Sequence, residues 1–174
     1  MAVGLLVFLG LFAFLFDSLE RGGNNNETHA DRVERANKEI SDALAHVSEI
    51  EVEVIVVPDG LESLAADLRS AVESRLHERG LKINPKAEWK FQVGVRGFLD
   101  KNPWVDIAFR HMGKSFFGRE DGEALLRNEM RYRGRSDLLG GAVKFAAETT
   151  DGFLDMWMKA KLDMWMKAKP EFLK

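Results

Sequence analysis

The chain has 174 residues, 45% of them hydrophobic and 30% charged, with a formal net charge of -3. That balance describes one ordinary globular core and argues against nucleic acid as a partner. The absence of cysteine removes disulfides, Cys-ligated zinc, a thiol nucleophile and a lipidated cysteine together.

Residues 2–16, AVGLLVFLGLFAFLF, carry no charged and no strongly polar side chain. As a helix they would cover roughly 22 Å, against a hydrocarbon core of about 30 Å. The run is a short span or a signal core. No basic residue precedes it, and Phe14-Leu15-Phe16-Asp17 is a poor small-x-small cleavage site, so a retained anchor over residues 1–19 is the expectation. Gly4, Gly10 and Ala13, with Leu6, mark a face on which such a helix would dock against another membrane helix. Arg21, Arg32, Arg35 and Lys38 follow the run and none precedes it. The positive-inside rule then leans toward a cytoplasmic domain, but interleaved acids leave the extracytoplasmic face nearly as open.

Residues 20–27, around Gly22-Gly23-Asn24-Asn25-Asn26, form a polar break. Thr28 with Asp31 opens a helix over 28–48, whose thin stripe of Val33, Ile40, Leu44 and Val47 suits packing on the domain or a free stalk. EVEVIVVPDG at 51–60 reads as a strand stopped by Pro58-Asp59-Gly60. Leu61, Leu64, Leu68, Val72 and Leu76 line one helix face, and Gly80 sits where a left-handed cap belongs. Trp89, Phe91, Val93 and Val95 alternate with polar residues over 88–98, and Val105, Ile107 and Phe109 continue a hairpin. Residues 111–122 read as loop. Residues 124–133 have helical residue types but strand-like alternation, and strand is preferred. From Ser136 the pattern is helical to about Lys169, with a bend or break expected near Asp151-Gly152.

The expected fold class is α+β. Its order is an N-terminal single transmembrane helix, then α-β-α-β-β-(β)-α. The sheet is small and mainly antiparallel, helices pack on one face, and the C-terminal helix is long and amphipathic. The expected division is anchor 1–19, linker 20–27, linker helix 28–48, α+β domain 49–153 and C-terminal helix 154–174.

Residues 154–161 and 162–169 are both LDMWMKAK. A helix turns about 100° per residue, so an eight-residue step leaves a net rotation of only about 80° between the copies. On a wheel Leu154, Trp157, Met158, Leu162, Met164, Trp165 and Ala168 share a broad face opposite Asp155, Lys159, Asp163 and Lys167. Trp157 and Met158 and their repeats Trp165 and Met166 are therefore the expected partner or interface contacts. A helix from Ser136 to Lys169 would be about 50 Å long. A domain of this size is only roughly 35 to 40 Å across. Unless the chain folds back, the second copy overhangs and offers Trp165 and Met166 to a partner or to lipid.

No catalytic or metal motif stands out. His29, His46, His77 and His111 have no i,i+4 spacing, and Gly113-Lys114-Ser115 lacks the leading glycine of a phosphate loop. From Lys86 to Arg135 there are 11 Lys/Arg against 7 Asp/Glu, a local excess of four positive charges. Arg131, Arg133 and Arg135 alternate around Tyr132 and would share one strand side, able to meet phosphates, anionic headgroups or an acidic partner. Ion pairing with Glu123 and Glu129 on a solvated face is the blander expectation.

The expected function is a membrane-anchored, single-pass, non-enzymatic accessory or assembly subunit, with lipid and other integral membrane subunits as partners and no cofactor. The alternative is an exported soluble domain that binds a small ligand or envelope component after signal removal.

Overall fold

The computed structural model describes residues 28–56, 61–96, 102–113 and 124–168. The expected anchor and linker, and with them Gly4, Leu6, Gly10 and Ala13, lie outside the described residues. Among the described residues no helix is long and apolar enough to cross a membrane.

Helix α1 spans His29–Ala45 and starts on a reciprocal cap. Thr28 Oγ1 accepts the Asp31 amide at 3.2 Å, and the Asp31 carboxylate accepts the Thr28 amide at 3.1 Å. The Thr28 hydroxyl also donates to the Asp31 carboxylate at 2.6 Å, and this bond, with that from the Thr28 amide, holds the Asp31 carboxyl below its ordinary range. Ala36, Ile40, Ala43 and Leu44 are buried, and α1 packs against the last helix instead of standing as a stalk.

Strand β1 covers Glu49–Val56 and helix α2 covers Glu62–Glu78. Gly80, at φ +77°, ends α2 in a Schellman turn: its amide donates to His77 O at 2.9 Å and the Leu81 amide to Leu76 O at 3.0 Å. Strand β2 is only Lys82–Ile83. Strands β3 (Trp89–Arg96), β4 (Trp104–His111) and β5 (Ala124–Arg131) follow. Helix α3 runs from Arg135 to Ala168.

The sheet order is β2-β1-β3-β4-β5. β1 is parallel to both β2 and β3, whereas β3, β4 and β5 are antiparallel. The sheet is therefore mixed: its two longest pairings are antiparallel, as expected, and the parallel pairings of β1 are added to them. The cause is α2, which returns the chain along the sheet so that β3 starts at the same end as β1.

One sheet face is apolar. Val52, Phe91 and Phe109 align across three strands, as do Val54, Val93 and Ile107. α2 packs on β1, α3 packs on β4, and Phe153 of α3 lies 5.3 Å from Phe91 and 4.7 Å from Phe109 by ring centroids. Burying each such side chain is worth about 1.5 to 3 kcal/mol.

The expected break near Asp151-Gly152 is absent, and α3 is one continuous helix. Its tertiary clamps outweigh the glycine. Arg75 pairs with Asp151 at 3.1 Å and Arg79 with Asp155 at 3.4 Å. The constant offset shows α2 and α3 running parallel, with Phe153 and Leu154 buried between the clamps.

Candidate functional site

Two regions gather the candidate residues: the arginine end of β5 and the terminal turns of α3. Elsewhere the described residues bring no three His, Asp or Glu side chains together around a point. His29 opens α1, His46 caps its end, and His77 lies on exposed α2 surface. His111 ends β4, with Nε2 3.3 Å from the Glu88 carboxylate and its ring edge on Trp89.

The sheet face away from the helices is charged. Lys90 lies 3.4 Å from Glu51 and 3.7 Å from Glu53, and Gln92 donates to Glu53. Asp106 is nearly buried there and grips Arg127 with both oxygens, Nε to Oδ1 at 3.0 Å and Nη2 to Oδ2. This bond, more than the opposing cost of burial, raises the Arg127 pKa further above its ordinary value. Sequence reading missed the pair. Its signal was Asp106 among the apolar residues of β4, a place where a carboxylate needs a partner.

Arg131, Arg133 and Arg135 do not share one strand side. β5 ends at Arg131, the chain bends at Arg133-Gly134, and Arg135 is already the first residue of α3. Arg131 Nε donates to Glu129 at 3.0 Å, and its guanidinium stands 5.8 Å above the Trp104 ring. Arg131 and Arg133 both line an open groove, together with Tyr132, Asp137, Gly140 and Gly141. A Cβ at Gly141 would fall 2.7 Å from Tyr132 Cε1, so this glycine admits the tyrosine ring. Burial, reinforced by Glu148, pushes the Tyr132 hydroxyl up to about 12. The groove carries both signs of charge.

The two copies of LDMWMKAK have different surroundings. In the first, Leu154 is fully buried, Ala160 is 2% exposed, and Trp157 packs half-buried against the core. Trp157 Nε1 donates to Val47 O at 3.0 Å, tying α3 to the segment between α1 and β1. Met158 is exposed, its sulfur accepting from Arg79. After Ala160 no described residue of α3 is buried. Leu162, Met164 and Trp165 are among the exposed large apolar side chains, and Met166 is half-buried. The broad wheel face is thus divided. Trp157 and Leu154 turn to the core, while Met158, Leu162 and Trp165, spaced i, i+4, i+7, form a stripe outside it.

No protein-family model and no curated protein matches the chain. Among solved structures it is similar to a dodecamer of a PelC point variant from Paraburkholderia phytofirmans, at 16% identity and TM-score 0.36, over 64% of this chain and 87% of that one. It is also similar to a minor lipoprotein from Acinetobacter baumannii, at 12% identity and TM-score 0.29, over 68% of this chain and 95% of that one. Both scores lie below 0.5, and neither likeness carries a function to this chain.

Proposed function

We propose that the chain is a single-pass, membrane-anchored, non-enzymatic accessory or assembly subunit of a larger membrane complex, with its α+β domain held at the bilayer surface. The observation that carries the proposal is the uncharged run AVGLLVFLGLFAFLF at residues 2–16. The exposed apolar stripe of α3 supports it, because water disfavours such a surface and contact surfaces use it.

Three measurements test the reading. Leu9→Arg puts a charge at the centre of the run, at a cost of about 2.5 to 3.5 kcal/mol on insertion scales. The variant leaves the membrane fraction or fails to accumulate. If it still sediments wholly with membranes, the run is not the anchor. Capture of the full chain in mild detergent recovers a stoichiometric integral-membrane partner, whereas a monodisperse monomer contradicts a subunit role. A mature N-terminus near residues 16–23 by mass spectrometry would favour the exported soluble domain instead.

A further inference from the structure

The exposed apolar side chains gather at one end of the sheet. β1 and β3 start there and β4 ends there, since Glu49 pairs with Lys82 and Trp89 with His111. The C-terminus of α2 reaches the same end and leads straight into β2. Arg79, just past α2, touches Met158 and Asp155 and so places this stretch of α3 there too.

Eight large hydrophobic side chains are exposed among the described residues, and six of them belong to this end: Ile83, Met112, Met158, Leu162, Met164 and Trp165. Only Met130 and Leu139 lie toward the other. Trp165 stands seven residues beyond Met158, roughly 10 Å further along the helix. Lys82, Lys86, Lys159 and Lys167 are exposed at this end and Lys161 is half-buried, alongside the exposed acids Glu78, Glu88 and Asp155.

We infer that this end of the domain docks on the bilayer surface, with Leu162 and Trp165 entering the headgroup boundary. The inference rests on the membrane-anchored reading above and adds an orientation to it. The chemistry selects lipid over a protein partner. The apolar groups come from three separate elements, β2, the turn after β4 and α3, and lysines share those elements or flank them. A protein partner needs a packed, complementary patch depleted of lysine. A fluid interface accepts scattered apolar tips, welcomes tryptophan, and lets lysine stems lie along the surface with their ammonium groups on anionic headgroups. The tether permits contact, because residues 17–27 span at most about 40 Å when extended.

The chain contains no cysteine, so one introduced cysteine takes a nitroxide at one place. Leu162→Cys and Leu139→Cys are compared in the full chain on 3:1 phosphatidylcholine:phosphatidylglycerol vesicles. Both are exposed leucines of the same helix, at 54% and 46%, toward opposite ends. Power saturation reads collisions with oxygen, which concentrates in lipid, and with a water-soluble nickel chelate. At position 162 oxygen exceeds nickel several-fold, and at 139 nickel dominates. If the vesicle-bound chain shows the same aqueous profile at both positions, the docking is wrong while the anchor stands. Low accessibility to both agents at 162 means protein covers it and also overturns the inference. A chain that does not float with vesicles overturns the anchored reading, and the docking falls with it.

Discussion

Leu154 and Leu162 occupy the same position in two identical eight-residue copies, yet one is fully buried and the other is 54% exposed. Truncating each to alanine removes the same atoms ahead of the same seven residues, so the difference chiefly reports burial. Leu154→Ala leaves a cavity among close-packed neighbours and costs about 3 to 5 kcal/mol. For a folded unit of this size a kcal/mol moves the melting temperature by roughly 3 to 4 °C, so the variant melts roughly 10 °C or more below the parent. Leu162→Ala changes stability by less than about 0.5 kcal/mol, the usual range for a surface site. The assay is unfolding of the full chain in mild detergent, by urea and by heat, followed by near-ultraviolet circular dichroism. Equal losses at the two positions would refute the argument. So would a loss at Leu162 well outside the surface range, above about 1.5 kcal/mol. Either result would place the second copy in the core.

Gly140 and Gly141 make a second matched pair on α3. A Cβ at Gly140 meets nothing within 4 Å, so Gly140→Ala stabilises by about 0.5 to 1 kcal/mol, while Gly141→Ala drives the Tyr132 ring away and destabilises in the same denaturation assay. Tyr132 is the sole tyrosine, so tyrosinate absorbance titrates this group alone. Its folded value of about 12 exceeds the ordinary 10, so the stability it lends is complete below pH 10 and is lost as pH rises through 12; a midpoint near 10 while circular dichroism still reports a folded chain would contradict the burial. Asp106→Ala strips Arg127 of a buried two-point partner and costs about 1 to 3 kcal/mol, moderated because the Arg127 side chain is 41% exposed. Glu129→Ala, which releases an Arg131 side chain that is 75% exposed, serves as the near-neutral comparison in urea melts.

Features set by a few neighbouring residues were legible in the sequence. The Thr28 cap, the Gly80 turn and the alternation of β3 and β4 depend on contacts within a turn or a pleat, and they are found where the residues predict them. Features decided by distant partners were not. β2 has two residues, both exposed, and exists because β1 offers it an edge. Strand direction across β1 and β3 is decided by α2, which the hydrophobic pattern records as a helix without recording its route. The continuity of α3 through Gly152 depends on Arg75 and Arg79, which lie on the far side of four strands in the chain. For the candidate sites, the Arg-x-Arg-x-Arg alternation runs past the end of β5, so periodicity alone could not show that Arg133 and Arg135 leave the strand.

The repeat shows why a wheel misjudges a surface when the core has an edge. A rotation of about 80° is small beside the breadth of an apolar face, so the wheel put both tryptophans together. In the fold, burial ends within one turn. Ala160 is the last buried residue among those described in α3, and the segment before β1 that receives the Trp157 indole lies at the same limit. An eight-residue copy added before that point would have rotated every later core residue by about 80° and lengthened the helix by about 12 Å against a fixed sheet. Because the two copies are identical, whichever arose second, residues 154–161 occupy the core positions and the surplus turns fall beyond Ala160. The duplication therefore leaves the packed interior unchanged. It extends the exposed end of α3, adding Leu162, Met164 and Trp165 to the apolar groups beside the start of β1.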